Sequence, residues 1–181
     1  MDFKFSPEEE AFRKEVHEFI QNEVTPELVE EADSGLGLGP LQWQYLHRLG
    51  EKRWLTPMLP PEYGGLGSSY MQRYIINDEM FYFLPMGFVY CAAQIVAPII
   101  MAVGSEEQKK EYLPRISRGE IEFCLGYTEP EAGSDLANIQ IEAVEHDDYY
   151  LLNGEKMFNT ACHFAQYHWL CARTMATTPK H

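Results

Sequence analysis

Apolar residues recur at helical spacing over residues 1–118. Ser6, Pro7 and Glu9 predict a helix start, with Ser6 as N-cap, Pro7 at the first helical position and Glu9 completing a capping box. Apolar positions then follow at intervals of three and four residues and form one stripe: Phe12, Val16, Phe19, Ile20 and Val24. The pattern predicts an amphipathic first helix, which Pro26 and the glycine-rich run 34–39 interrupt.

Further helices are predicted before the pattern changes. Their predicted extents are 40–50, 70–103 as two helices divided near Pro85–Gly87, and 106 to about 119. Ser105 and Gln108 form a second capping box at the start of the last helix. Residues 56–69 are too rich in Pro and Gly for regular structure and are predicted to form a loop.

After Gly119 the spacing becomes the alternation that is typical of strands. The strand-like stretches are 121–128, 139–143, 149–152, 156–158 and 167–173. Asp147-Asp148 predicts a turn, and Asn153-Gly154 predicts a hairpin whose return strand is Lys156–Phe158. A sheet of so few strands, with open edges, is an incomplete domain.

Helices followed by strands imply an α+β fold. The prediction is an N-terminal all-α helical domain over residues 1–118, followed by an incomplete antiparallel β-domain over residues 119–181. The second domain is expected to be incomplete, because no closing element follows the last strand-like stretch, which ends at residue 173.

Composition narrows the classes of partner. The 181 residues include 28 acidic and 14 basic side chains, which gives a formal charge of −14. Nucleic acid and anionic membranes are disfavoured as partners, because binding to either needs clustered Lys and Arg. The four cysteines form no Cys-x-x-Cys pair and have no histidine at zinc-ligand spacing, so no metal site is expected. Free thiols and an acid-rich N-terminus without an apolar export segment predict a cytoplasmic protein.

The stretch from Met80 to Ser105 contains no charged residue and is long enough to span a bilayer. Pro85, Gly87 and Pro98 interrupt it, and acidic rather than basic residues flank its upstream side. These features favour a buried helical region over a membrane span, and the choice depends on the rest of the chain.

The most distinctive string runs from Phe123 to Asp135 (FCLGYTEPEAGSD). A strand ends at Thr128 and leads into the small residues 132–134, whose backbone amides and hydroxyls can approach a ligand closely. A phosphate or a flat heteroaromatic ring suits such a loop, because no side chain blocks the approach. A plain strand-exit turn capped by Ser134 and Asp135 is equally consistent with these residues taken alone.

This string also resembles the middle-domain signature of acyl-CoA dehydrogenases, in which a strand leads into Thr-Glu-Pro-x-x-Gly-Ser-Asp. Further segments resemble the same family in the same order along the chain. They are the opening Asp2–Arg13, the Gly-Gly loop Pro61–Gly67, the helical motif Gly104–Glu120, the segment Asn153–Thr160 and the strand Ala172–Thr174. The chain is therefore identified as a member of this family, in which the uncharged stretch 80–105 is a buried helix pair and no membrane insertion is expected.

The resemblance implies that residues 119–181 are the start of a middle, β-barrel-like domain that contacts the flavin. It also implies an FAD site and places residues in it. Leu125, Tyr127 and Thr128 correspond to the strand that meets the isoalloxazine ring, where Thr128 offers a hydroxyl and an amide to the polar edge. Gly133 and Ser134 correspond to the loop near the flavin pyrophosphate, and the serine also meets the pantetheine arm of the substrate.

Phe158, Asn159 and Thr160 correspond to the second flavin segment, in which the aromatic packs on the ring and the hydroxyl hydrogen-bonds the flavin N5. Two of these positions depart from the family pattern. Phe158 replaces the usual tryptophan, and Asn159 stands where an apolar residue is commoner, so the environment of the ring is expected to differ. His168 and Trp169 in the following strand are expected to pack.

The resemblance also implies the reaction. A base removes the α-proton of an acyl-CoA thioester while a hydride passes from the β-carbon to flavin N5, giving the 2,3-enoyl-CoA. Electrons then pass to an electron-transfer flavoprotein, and the enzyme is expected to be a homo-oligomer, either a dimer or a tetramer. The base is usually a C-terminal glutamate, so it is expected beyond His181, and no catalytic residue is assigned within this chain. Glu129 is expected to satisfy local backbone groups.

Two alternatives stay open. An acyl-CoA oxidase or a flavin monooxygenase has the same fold and differs in the electron acceptor. A non-catalytic subunit that completes the flavin site of a partner is compatible with the same motifs. The acyl specificity is not predicted by these residues.

Overall fold

The computed structural model describes residues 4–35, 37–83 and 91–174. The chain separates into two compact units, which divide between Glu122 and Phe123. The helices of the first unit are α1 Pro7–Glu23, α2 Pro26–Asp33, α3 Pro40–Glu51, α4 Tyr70–Phe83, a π-helical turn Ala92–Val96 that continues into α5 Ala97–Val103, and α6 Glu106–Ser117. The strands of the second unit are β1 Phe123–Gly126, β2 Glu142–Glu145, β3 Tyr150–Asn153 and β4 Tyr167–Leu170. Helices followed by a partial β region confirm the α+β prediction.

Side-chain caps begin α1 and α6 as predicted. The Ser6 hydroxyl accepts the amide of Glu9 at 3.2 Å, and the Glu9 carboxylate accepts the amide of Ser6 at 2.7 Å. Ser105 and Gln108 exchange the same pair of hydrogen bonds, at 3.3 and 2.9 Å. Each capping box satisfies two amides that the geometry of a helix start leaves without partners.

Helix α2 begins at Pro26, where the sequence pattern predicts only an interruption. The Thr25 hydroxyl caps the helix by accepting the amide of Leu28 at 3.2 Å. Proline is well suited to the position that follows, because the amide it lacks is one that a helix start leaves unpaired. Thr25 and Pro26 therefore end one helix and begin the next, and Leu28 of the new helix is buried.

The core of the helical unit includes the packing of α1 on α4. Val16 and Ile20 of α1 are buried, as are Ile75 and Ile76 of α4. The predicted division of the later apolar stretch near Pro85–Gly87 lies outside the described residues. Within the three described ranges, no helix is both long enough and apolar enough to cross a bilayer.

The β unit contains one antiparallel and one parallel strand pair. β2 and β3 form an antiparallel hairpin around the predicted turn at Asp147-Asp148, with Ala143 opposite Leu152. β1 and β4 pair in parallel, with Leu125 opposite Trp169. The antiparallel prediction thus holds for the hairpin and is wrong for β1 and β4. The long connection between these two strands permits the crossover that parallel pairing requires.

Asn153-Gly154 does not form the predicted hairpin turn, and Lys156–Phe158 is not a strand. Gly154 has a φ of 146°, and a Cβ placed there would lie 2.4 Å from Cγ1 of Ile141. The glycine therefore permits a close approach between two segments of chain. The sequence pattern predicts a tight turn at Gly154, because glycine is favoured in tight turns as well as at close approaches between chain segments.

Candidate functional site

A buried ion pair lies at the exit of β1. Oε1 of Glu129 lies 2.9 Å from Nζ of Lys156, and the two side chains are only 4% and 5% exposed. The same carboxylate accepts the backbone amides of Gln140 and Ile141. Burial alone would raise the pKa of Glu129, but these amides and the lysine ammonium hold it below its ordinary value. The predicted role of Glu129, binding local backbone groups, is confirmed. The sequence pattern did not predict its ion pair with Lys156.

Two further hydrogen bonds hold segment 156–160 against the end of β1. The buried lysine donates to the carbonyl of Tyr127 at 3.0 Å, and the amide of Met157 donates to the carbonyl of Thr128 at 2.9 Å. Leu125 lies two residues earlier, half-buried within β1. The structure therefore brings the predicted strand residues together with the predicted second segment.

Segment 158–161 has an unusual backbone. Phe158 and Ala161 have φ values of 54° and 72°, in the left-handed region that favours glycine. Such conformations cost on the order of 1–3 kcal/mol each and persist only where the surroundings impose them. The amide of Thr160 donates to the Phe158 carbonyl at 2.8 Å, and the Asn159 side-chain amide donates to the Lys156 carbonyl at 3.1 Å. The result is a tight turn that leaves the Phe158 ring 80% exposed.

Gly133 and Ser134 lie on a separate loop. Glu129 and Ala132 fix its base by exchanging amide-to-carbonyl hydrogen bonds of 2.8 and 3.1 Å. Both predicted residues are exposed, and a Cβ at Gly133 would have no heavy atom within 4 Å. Within the described part of the chain, no hydrogen bond or ring contact links this loop to Phe158–Thr160.

Several polar groups of the predicted site make no hydrogen bond to any residue that the structure describes. They are the amide and hydroxyl of Thr128 and the hydroxyls of Ser134 and Thr160. The exposed ring of Phe158 stands in the same segment as Thr160. An exposed aromatic face and available hydroxyls suit a flat ring with a hydrogen-bonding edge. The residues present therefore fit FAD, the cofactor that the family resemblance implies.

Strand β4 carries one residue whose role the sequence pattern missed. Trp169 packs edge-on against Phe123, with ring centroids 6.3 Å apart, as predicted. His168 does more than pack, because its Nε2 lies 3.1 Å from Oδ1 of Asn159. The one signal in the sequence was Gly126, since a glycine inside a strand often marks a close approach.

Comparison with known proteins identifies the family. A family model described as the acyl-CoA dehydrogenase N-terminal domain matches residues 6–120, and one described as the middle domain matches residues 124–181. The chain belongs to the acyl-CoA dehydrogenase family. Among curated members, the acyl-CoA dehydrogenases FadE26 and FadE29 of Mycobacterium tuberculosis are 38% and 37% identical over 96% and 100% of this chain.

Solved structures share the fold of this chain. The ChsE4-ChsE5 complex from Mycobacterium tuberculosis matches with a TM-score of 0.86 and 36% identity, over 99% of this chain and 46% of that chain. The Tcur3481-Tcur3483 steroid ACAD matches with the same score and identity, over 99% of this chain and 47% of that chain. The chain spans about half the length of the curated relatives it matches, 44% of FadE26 and 46% of FadE29.

Proposed function

We propose that this chain contributes the helical domain and one wall of the flavin site to an FAD-dependent acyl-CoA dehydrogenase. The proposed reaction oxidises an acyl-CoA thioester to the 2,3-enoyl-CoA and passes the electrons to an electron-transfer flavoprotein. The observation that supports it most is the buried Glu129–Lys156 pair, because it joins the two segments that correspond to flavin-contacting segments of the family. We also propose that the protein is cytoplasmic.

Each predicted residue has a role in this proposal. Phe158 packs on the isoalloxazine ring, while Thr128 and Thr160 hydrogen-bond its polar edge. Gly133 keeps the loop open, so that Ser134 reaches the pyrophosphate or the pantetheine arm. When bound, FAD supplies the hydride acceptor, and the protein supplies binding and orientation.

The remaining roles concern the strand and the proton. Leu125 and Tyr127 complete the strand part of the wall, and Asn159 holds the turn that carries Phe158. Glu129 is not the base that removes the α-proton, because Lys156 and two backbone amides already bind its carboxylate. We propose that the base comes from the part of the protein that corresponds to the remaining length of the relatives.

Absorption spectroscopy tests the proposal directly. The protein, purified at its native length with any partner subunit, is expected to show the bands of oxidised flavin. A saturated acyl-CoA added without oxygen should bleach them, and slow recovery in air separates a dehydrogenase from an oxidase. Absence of flavin from this preparation overturns the proposal.

A second candidate function is a subunit of a two-component steroid acyl-CoA dehydrogenase. It is favoured by the likeness to the ChsE4-ChsE5 complex and to the Tcur3481-Tcur3483 steroid ACAD. In the first function the chain forms a homo-oligomer, and in the second its flavin site is completed by a different subunit. Light scattering, the ratio of flavin to chain, and bleaching by a steroid acyl-CoA compared with a straight-chain thioester distinguish the two.

A further inference from the structure

The Asn159 side chain connects residues 156–161, which we call the flavin-wall turn, to strand β4. Its Nδ2 donates to the Lys156 carbonyl at 3.1 Å, and this contact fixes the orientation of the amide because a carbonyl can only accept. Oδ1 therefore faces Nε2 of His168, 3.1 Å away. Since Oδ1 is also only an acceptor, the proton of this hydrogen bond lies on the His168 nitrogen.

His168 occupies space that Gly126 leaves open. A Cβ at Gly126 would lie 2.0, 2.7 and 2.8 Å from Nε2, Cε1 and Cδ2 of the imidazole, so the ring lies directly over this position of β1. Gly126 is buried, and β1 pairs with β4 beside it. A side chain at this position would displace the ring, and with it the donor to Asn159.

The electrostatic setting favours an uncharged ring. The His168 residue is exposed, but desolvation by the chain around its ring, together with the positive charge of Lys156, lowers the pKa of His168 below its ordinary value. A neutral imidazole with its proton on Nε2 satisfies the Asn159 oxygen without placing a second cation near the buried lysine.

We propose that His168 is a positioning residue for the flavin-wall turn. Its imidazole donates a hydrogen bond that holds Asn159, and the absence of a side chain at Gly126 leaves space for the imidazole ring. Asn159 in turn braces the strained backbone at Phe158, so the orientation of the aromatic face depends on a side chain from β4. The inference deepens the proposed function and rests on it for its link to flavin. The two hydrogen bonds from His168 to Asn159 and from Asn159 to the Lys156 carbonyl, which we call the relay, are a property of the protein alone.

Segment-resolved hydrogen exchange of the native-length holoprotein tests the relay. His168→Ala and Asn159→Ala are each expected to speed exchange of residues 158–165 by roughly fivefold to tenfold, as the loss of one hydrogen bond implies. His168→Gln should restore slow exchange, because the glutamine amide nitrogen can donate from nearly the same position. His146→Ala, in the β2–β3 hairpin, is the matched control and should leave these amides unchanged.

Gly126→Ala provides a second, independent variant. It should speed exchange of the same segment, and it should add little in a His168→Ala background, because the ring that it displaces is already gone. Exchange of the β2–β3 hairpin must stay unchanged in the His168, Asn159 and Gly126 variants, which shows that the unit remains folded.

The outcomes separate this inference from the proposed function. A shift of the flavin absorption bands in His168→Ala, restored in His168→Gln, supports the inference in full. Unchanged exchange in His168→Ala, or additive effects with Gly126→Ala, overturns it even when flavin is bound. A parent protein that lacks flavin overturns the proposed function, while the exchange result still decides the relay.

Discussion

Each of the two units contains a buried glutamate held in an ion pair, and the units compensate the charge of that glutamate differently. Glu79 of α4 is 5% exposed and contacts Arg13 and His17 of α1, at 2.7 and 2.8 Å, whose side chains are 42% and 43% exposed. Glu129 is equally buried, but Lys156 beside it is only 5% exposed. In the helical unit both partners of the carboxylate keep contact with water, whereas in the β unit the carboxylate and its lysine partner have both lost it. Each member of the second pair therefore depends on the other far more strongly.

Neither carboxylate is suited to proton transfer. Burial alone would raise the pKa of Glu79, but its hydrogen bonds to Arg13 and His17 hold it below the ordinary value, as the amides and Lys156 do for Glu129. A base that removes a substrate proton needs a pKa near the working pH and an unobstructed oxygen. Both groups thus hold segments together: α1 to α4 in one unit, and the β1 exit to the flavin-wall turn in the other.

The largest expected effect comes from removing Lys156. Lys156→Met leaves the Glu129 carboxylate buried without its cation, and such changes cost about 3–5 kcal/mol. Urea denaturation measures the loss in unfolding free energy, and hydrogen exchange should locate it in the β unit. Flavin should dissociate more readily from this variant, because segment 156–160 loses its attachment to β1.

The matched control removes both charges together. Glu129→Gln combined with Lys156→Met is expected to recover most of the stability, since a buried ion pair replaced by uncharged groups of similar volume is often nearly neutral. A double variant as unstable as Lys156→Met alone would show that packing, rather than the unpaired charge, accounts for the loss.

Breaking the pair in the helical unit should cost less. Glu79→Gln keeps the shape of the side chain and removes the charge that Arg13 and His17 contact. Because water still reaches both partners, we expect a loss of about 1.5–3 kcal/mol, the range for hydrogen bonds to charged groups. Urea denaturation measures this loss, and hydrogen exchange in the β unit should be unchanged. A loss as large as that of Lys156→Met would remove the distinction between the two pairs.

Acid should weaken both units through the same two carboxylates. Each has a folded pKa below its ordinary value, so its contribution is complete above that ordinary value and is lost as the pH falls through the folded pKa. The effect should be smaller than that of Lys156→Met at neutral pH, because protonation leaves a hydrogen-bonding group at each carboxylate. Denaturation between neutral and acidic pH measures the slope, which Glu79→Gln and Glu129→Gln should each reduce. An unchanged slope in both variants would exclude these groups as its source.

Local signals predicted the helices better than the site. The Ser6–Glu9 capping box involves residues three apart, so the sequence alone specified it. Glu129 and Lys156 are 27 residues apart, and no spacing rule in the sequence predicts that this lysine contacts a buried carboxylate. Likewise, Gly154 reads as a hairpin turn until the neighbouring Ile141 is known.

The residues named for the site by family resemblance illustrate the same limit. Motif matching placed Thr128 and Phe158 in one site, and hydrogen bonds between their segments are consistent with that placement. It gave no role to His168, whose partner Asn159 departs from the family pattern. Position-by-position transfer finds what relatives share, while the contact between His168 and Asn159 emerges only from the fold.

An exposed ion pair on α1 is expected to contribute least to the free energy of unfolding among the ion pairs compared. Lys14 and Glu18 lie 3.7 Å apart and are 76% and 61% exposed, on the same helix as Arg13 and His17. Water screens both charges, so Lys14→Gln is expected to change the unfolding free energy by at most about 0.5 kcal/mol, and by less in high salt. Urea denaturation at low and high ionic strength measures this. A loss above about 1 kcal/mol, twice that ceiling, would mean that exposure does not govern the cost of breaking an ion pair in this protein. The contrast between Glu79 and Glu129 would then need another cause.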